Sequence, residues 1–537
     1  MSEPTHEQAA VVECPARLLA VNAFAGTGKT TTLVDYARAR PGRRILYLAF
    51  NRSVANEAKE RFPDNVACRT THSLAYAVKG RLYEGKLGNA QPFEVAQLCR
   101  CNPRRARIIL DTLSAWLCST DAAIGKQHVD RESLGEDDDP RQIVEQTHVL
   151  WEEMQLKDSP MKMPHDGYLK LWAMERPQLR YDFILLDEAQ DTNPLTLELV
   201  MAQRHATIVL VGDRHQGIYG FRKAMNAMEA VNADARIALT QSFRFGQGIA
   251  DVATALLQHF KEETQEVRGR DDIAVTWSVD TSKHYAVLGR TNAGLFDAAA
   301  GLVGHGERRR LHFVGGFENY LFGKVLDAYH LWADERSQIK DGNIARFKTF
   351  VDFKKYGDDA GDAETRALVK VVEQYRTDVP RIYAAMKAAD TPLQERSHVT
   401  LTTAHKAKGL EWQQVQLCND FVELPPDEEK FDPEEINLLY VAVTRAISAV
   451  RLPISLTEWL ESMGFTQHLA DRPGQEDGDG TVAAEPARQG DNRDDRVFFS
   501  ADERELWLRS TDLARFGAAA NEIAFLLERL EQARASS

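Results

Sequence analysis

Cysteine is scarce in this chain. There are six, at Cys14, Cys68, Cys99, Cys101, Cys118 and Cys418, and none forms a C-x-x-C pair. Cys99 and Cys101 stand too close together for a zinc knuckle, so the spacing argues against a disulfide framework and a structural zinc site and suits reduced thiols in the cytoplasm. Long apolar runs are also missing: none reaches the roughly 18 residues that a membrane helix needs. The opening residues, Met1-Ser2-Glu3-Pro4, carry neither the basic nor the apolar region of a secretory leader. Positive charge is in deficit, with 66 Lys and Arg against 80 Asp and Glu and a net charge of −14. That balance argues against a non-specific coat on nucleic acid and leaves a local basic groove open. Much of the acid sits in runs at 136–139, 423–435 and 476–495, which read as solvated loops.

What the chain does have is 537 residues, 43% of them hydrophobic, enough for three or four domains with cores of their own. Short continuous apolar runs recur: Leu18-Leu19-Ala20-Val21, Ile45-Leu46-Tyr47-Leu48-Ala49-Phe50, Phe183-Ile184-Leu185-Leu186, Ile208-Val209-Leu210-Val211, Tyr285-Ala286-Val287-Leu288 and Val415-Gln416-Leu417. Runs of this length suit strands of a parallel sheet covered by helices on both faces. Between them, 78–177 and 321–397 read as helical. The expected class is therefore α/β, with two cores each interrupted by a mostly helical insertion. The boundaries are 1–77 joined to 178–240, then 241–320 joined to 398–455. Residues 456–537 are a linker rich in Gly, Asp, Pro and Gln followed by an amphipathic tail.

The stretch "AFAGTGKT", residues 23–30, separates the first apolar run from a helix-like segment. It fits G-x-x-x-x-G-K-[ST] except that Ala23 replaces the first glycine. Backbone N–H groups of residues 26–29 would wrap a β-phosphate at a helix N-terminus, where the dipole favours anions. Lys29 would reach the β- and γ-phosphates, and the Thr30 hydroxyl would bind Mg²⁺. "FILLDEAQD" offers the other half of such a site. Asp187 would hold Mg²⁺, and Glu188 would orient and deprotonate an attacking water. Three further segments offer γ-phosphate partners: Gln216 in "GDRHQGIYGFR", Arg244 in "TQSFR" and Arg445 in "LLYVAVTRA". An isolated arginine is usually a surface residue, and residue type alone does not select these two.

Taken together the segments resemble superfamily 1 DNA helicases of the UvrD/Rep type. "THEQAAV", the phosphate cradle, "LAFNRSVANEAKERF", "RTTHSLAY", "LLDEAQD", "GDRHQGIYGFR", "QSFRF", "LGRTNAG", "TLTTAHKAKGLEW" and "YVAVTRA" follow one another in that family's order. Residues 47–76 and "TTAHKAKGLEW" are most similar to the F-box DNA helicase branch. The first motif starts by residue 6 with no F-box ahead of it, so no ubiquitin-ligase role is expected.

The resemblance implies two RecA-like P-loop NTPase cores, 1A and 2A, with helical insertions 1B and a reduced 2B. It implies ATP and Mg²⁺ as ligands. Gln8 should read the adenine edge and Phe243 stack on the base, while Glu411 approaches the ribose. Ala25, Gly26, Thr27, Gly28, Lys29, Thr30 and Thr31 form the phosphate site, with Thr30 and Asp187 on the metal. Gln216, Arg244 and Arg445 contact the γ-phosphate. Single-stranded DNA should cross the tops of both cores at Phe50, Asn51, Thr71, His72, Tyr219, Phe221, Arg290, Asn292, Thr403 and His405. Aromatics there suit base stacking, worth roughly 1–3 kcal/mol per base, and the polar side chains suit phosphates. Movement 3′ to 5′, in DNA repair or recombination, follows from the resemblance alone.

Three departures qualify it. Lys223 stands where the larger family usually has glycine, the second insertion is short, and the tail after residue 456 has no nuclease pattern. Two alternatives remain: a translocase that strips proteins such as recombinase filaments from DNA, and a DNA-sensing ATPase that works through a partner bound by residues 497–537. RNA in place of DNA also stays open, because stacking does not discriminate between them.

Overall fold

The apolar runs pair with one another in two separate parallel sheets. Six strands, β1 (Leu18–Ala23), β2 (Ile45–Leu48), β3 (Val66–Arg69), β4 (Phe183–Leu186), β5 (Thr207–Gly212) and β6 (Ala235–Leu239), line up in the order β3-β2-β4-β5-β1-β6. Val21 of β1 faces Val211 of β5 on one side and Ile237 of the edge strand β6 on the other. A small pair, β7 (Gln241–Gly246) with β8 (Arg268–Arg270), follows. The second sheet holds β9 (Tyr285–Gly289), β10 (Leu311–Phe313), β11 (Val399–Thr403), β12 (Trp412–Leu417) and β13 (Ala446–Arg451), in the order β10-β11-β9-β12-β13. This computed structural model describes residues 3–135, 138–218, 220, 226–304, 309–359, 362–426 and 432–465, all within one contact unit spanning residues 1–476.

Alternation along each strand explains why the runs are apolar throughout. In the first sheet Leu19, Val21, Tyr47, Leu185 and Val209 pack against Leu33 and Val34 of the helix Lys29–Arg38. Leu18, Ala20, Leu46, Ile184 and Leu210 point the other way, into a cluster with Trp116, Trp151 and Met154. Those partners belong to the helices Pro103–Cys118 and Pro140–Gln155, so the first insertion covers that face of the sheet. The second sheet repeats the plan. Ala286, Leu288 and Val415 pack with Ile249, Val252 and Leu256 of the helix Gln247–Lys261. Tyr285, Val287 and Leu401 pack with Phe322, Val372 and Ile382 from the second insertion, which is helical at Phe322–Trp332, Phe350–Asp359, Ala363–Tyr375 and Val379–Ala389.

The helices start where local chemistry says they should. Pro103, Pro140, Pro194 and Pro433 each open a helix, and the side chains of Asn102, Asp139, Asn193 and Asp432 accept the first free N–H groups. The two cores with helical insertions are the α/β arrangement expected from the runs. Among the described residues no helix is long and apolar enough to cross a membrane. None of their His, Cys, Asp and Glu side chains forms a group of three that could hold a metal ion. The tail from residue 466 onward lies outside the described residues.

Candidate nucleotide cleft and nucleic-acid interface

The phosphate cradle and the Asp187–Glu188 pair each follow the carboxyl end of a parallel strand, where open α/β sheets bind ligands. After β1 the chain turns through Gly26 and Gly28, both left-handed at φ 76° and 77°, and enters the helix at Lys29. A Cβ on Gly26 would sit 2.5 Å from Ser242 Oγ and 2.7 Å from Arg244 Cβ, so only glycine fits both the backbone and the space. The Thr27 hydroxyl donates to the Phe24 carbonyl (2.9 Å), and the Thr31 hydroxyl accepts from Arg61 (2.9 Å). Gln8 Nε2 donates to the Thr27 carbonyl (3.3 Å). Gln8 and Phe243 flank Gly28: a Cβ there would lie 3.1 Å from Gln8 Nε2 and 3.8 Å from the Phe243 ring, which is 39% exposed.

The acidic half stands at the end of β4. Asp187 is buried, accepts from the Tyr47 hydroxyl (2.6 Å), and has its Oδ2 3.5 Å from Thr30 Oγ1. Glu188 adopts a left-handed backbone, φ 51°, that turns it away from the strand line. Its carboxylate accepts from Gln190 Nε2 (2.5 Å). Burial pushes the Asp187 carboxyl above its ordinary value, and the neighbouring Glu188 charge adds to the effect. Glu188 is held below its ordinary value: burial opposes this, but Lys29, Lys408 and the Gln190 amide outweigh it.

The second core reaches across to this site. Phe24 and Ala25 of the cradle pack inside the second core's apolar cluster. The Phe243 N–H donates to the Gly26 carbonyl (2.9 Å), which sets β7 over the cradle. Arg244 pairs with Glu411 (2.6 Å) and donates to the Thr444 carbonyl (3.2 Å). Arg445 is only 1% exposed, and its partners are the carbonyls of Val441 (2.9 Å) and Leu410 (3.2 Å) and the Thr444 hydroxyl (3.2 Å). Gln216 is buried and its side-chain amide donates to Asp213 (2.9 Å), while its backbone carbonyl accepts from Lys408, which also pairs with Asp191.

These groups fit a nucleotide with its metal. Lys29 makes no hydrogen bond or ion pair among the described residues, and Arg445 has no carboxylate partner among them. Two cations therefore feel the Glu188 charge without being bonded to a carboxylate among the described residues, and both keep donors for a polyphosphate. Thr30, in the first turn of the helix after β1, and Asp187, at the end of β4, offer one oxygen each, the small protein share that Mg²⁺ takes when phosphate and water complete its shell.

The expected nucleic-acid residues also follow strand ends. Phe50 and Asn51 come after β2. Phe50 is 41% exposed rather than core, and Asn51 spends its side-chain oxygen capping the next helix at Val54 N (2.9 Å). Thr71 is buried after β3, and His72 pairs with Asp166 (2.9 Å). On the second core Arg290, Asn292, Thr403 and His405 come together around one cavity of about 830 Å³, with Tyr320 and Lys406 beside them. Arg290 is engaged there with Glu435, gripped through both Nε and Nη2. Tyr219, Phe221 and Lys223 lie outside the described residues.

Sequence reasoning passed over Tyr47, Gln190, Asp213, Lys408 and Tyr440, all of which touch the cleft groups. Asp213 had a usable signal, since it follows an apolar run just as Asp187 does. Tyr440 had none, because it sits inside the apolar face of a buried helix.

Comparisons with known proteins point the same way. Residues 7–222 match the family model described as an AAA domain, and residues 254–458 match the UvrD-like helicase C-terminal domain. The chain is 33% identical over 507 residues to F-box DNA helicase 1 of Gallus gallus, covering 86% of this chain and 50% of that protein. It is 31% identical over 521 residues to F-box DNA helicase protein 1 of Schizosaccharomyces pombe, covering 84% of this chain and 58% of that protein. A more distant relative, the ATP-dependent DNA helicase PcrA of Leuconostoc citreum, is 25% identical over 361 residues, 58% of this chain and 47% of its own. The chain thus spans about half the length of the curated relatives it matches.

Proposed function

We propose that this chain, which belongs to the UvrD-like DNA helicase family, is an ATP-driven motor that moves along single-stranded DNA and separates duplex ahead of it. The observation that carries the proposal is Arg445. It is a buried cation on the second core, without a carboxylate partner among the described residues, close enough to feel Glu188 of the first. Such a group stabilises charge that develops on a transferring phosphoryl group, and it does so only when the two cores are together.

In this reading the cores are 1–77 with 178–240 and 241–320 with 398–455. Gln8 and Phe243 hold the base, and Glu411 stands near the ribose. Backbone N–H groups of residues 26–29 and the Lys29 ammonium hold the phosphates. Thr30 and Asp187 would hold Mg²⁺, which would supply positive charge against the phosphates. Glu188, kept ionised by Lys29 and Lys408, takes a proton from the attacking water. Gln216, Arg244 and Arg445 meet the γ-phosphate, so its loss weakens the grip between cores. Phe50 on one core and the Arg290–His405 cavity on the other then hold the strand alternately, and the motor steps 3′ to 5′. A cytoplasmic role in DNA repair or recombination is part of the same proposal.

Strand displacement from a duplex with a 3′ or a 5′ single-stranded tail tests it. Unwinding that needs ATP and the 3′ tail is the expected result. Unwinding from the 5′ tail alone would overturn the polarity, and ATP-driven movement without displacement would leave a translocase in place of a helicase.

A further inference from the structure

The helix Pro433–Val443 carries a tyrosine into the opposite core. The Tyr440 side chain is fully buried. Its hydroxyl accepts the N–H of Ala25 in the phosphate cradle (3.0 Å) and donates to Asp213 Oδ2 at the end of β5 (2.8 Å). That same Asp213 oxygen accepts from the Gln216 amide (2.9 Å). The Asp213 N–H in turn donates to Gln190 Oε1 (3.1 Å), whose amide nitrogen donates to Glu188 (2.5 Å). One unbroken line of hydrogen bonds therefore runs from a second-core helix, through Asp213, to both Gln216 and Glu188.

A glutamine amide can point either end at a partner, and Asp213 removes that freedom. With Nε2 committed to a carboxylate, Gln216 keeps its side-chain oxygen Oε1 for the cleft, an acceptor suited to a water proton. Burial and the Asp213 charge hold the Tyr440 phenol well above its ordinary value, so its hydroxyl stays a donor. Tyr440 is in the second core and Asp213 in the first, so the line is complete only when the cores are closed.

We propose that Tyr440 is a positioning residue: through Asp213 it orients Gln216 for hydrolysis, and so makes hydrolysis conditional on closure of the two cores. The inference rests on the reading of Gln216 as a γ-phosphate group. It adds to that reading a specific lever by which the second core acts on the first without touching substrate.

A double-mutant cycle tests it, using steady-state ATP hydrolysis at saturating single-stranded DNA on the full chain. Tyr440→Phe keeps the ring and removes the hydroxyl. It should lower kcat roughly tenfold while the KM for ATP moves less than about threefold. Gln216→Ala should lose at least as much, and the double variant should be no slower than Gln216→Ala alone. Multiplicative losses in the double variant would overturn the inference, because Tyr440 would then act elsewhere, and so would an unchanged kcat in Tyr440→Phe. Should Tyr440→Phe melt before assay temperature, Asp213→Asn carries the same cycle against Gln216→Ala, with the same two outcomes deciding. A wild-type chain that does not hydrolyse ATP would sink the motor reading itself, which keeps the two failures distinct.

Discussion

Arg445 is a guanidinium held by two carbonyls and a hydroxyl. Burial and the nearby Arg244 charge both push its proton affinity down, the opposite of what a structural ion pair does. A fold that merely needed a residue there would place an apolar one. Arg445→Ala should therefore lower DNA-stimulated kcat by about a thousandfold while nucleotide binding changes far less, as expected of a group that meets charge in the transition state. Retained kcat in that variant would make Arg445 structural. The carboxylates give a second test at this scale. Burial and the Glu188 charge raise Asp187 above its ordinary value, so Asp187 takes up a proton as pH falls through a range higher than carboxylates usually show. A protonated Asp187 is a poor metal ligand. Activity should fall on the acid side while most surface carboxylates are still ionised, and more Mg²⁺ should move that limb to lower pH by competing with the proton. A limb that ignores Mg²⁺ would assign it to another group.

At the scale of elements, residues 213–217 after β5 are the most heavily shared segment of the cleft. The second core holds Asp213 through Tyr440, Arg214 and His215 through Glu263, the Gln216 carbonyl through Lys408 and the Gly217 carbonyl through Asn437. Glu263 is only 5% exposed and answers two basic side chains at 2.6 and 2.8 Å. Glu263→Ala would leave Arg214 and His215 without that carboxylate, which should cost about 2–4 kcal/mol. Denaturant titration reads the loss as a lower midpoint with an unchanged slope; an unchanged midpoint would mean that the clasp adds nothing. Elements also decide what could be read in advance. The strands β2, β4, β5 and β9 announce themselves as apolar runs because each has a sheet neighbour on both sides and helices over both faces. The strands β3, β6, β10 and β13 do not, and all four are sheet edges. Half of their residues or fewer are fully buried in β3, β6 and β13, and β10 has only three residues, so no continuous run arises. Inside the sheet β11 is fully buried, yet its threonines break the pattern, and Thr400 answers His284 (2.9 Å). The candidate site divides the same way. Gly26, Lys29, Thr30, Asp187 and Glu188 are legible because a strand end and a turn hold them locally. Asp213 shares that strand-end signal, whereas Tyr440 acquires meaning only where two cores meet, and no local spacing encodes that meeting.

At the scale of the molecule, a chain of net charge −14 is proposed to grip a polyanion. The proposed contacts are few and local: an exposed aromatic after β2 and a cavity after β9 and β11. Arg290, held by Glu435 at that cavity's rim, must exchange a carboxylate for a phosphate if it is to take part. The same architecture ties nucleotide and strand together, since the P-loop, the Asp187–Glu188 pair and the proposed contacts all follow strand ends of one or other sheet. The decisive test is steady-state ATP hydrolysis by the full chain with and without single-stranded DNA, beside Lys29→Ala. Hydrolysis strongly stimulated by DNA in the wild type and lost in Lys29→Ala is the expected result. Hydrolysis of equal rate with and without DNA would contradict a DNA motor and leave an ATPase answering to something else.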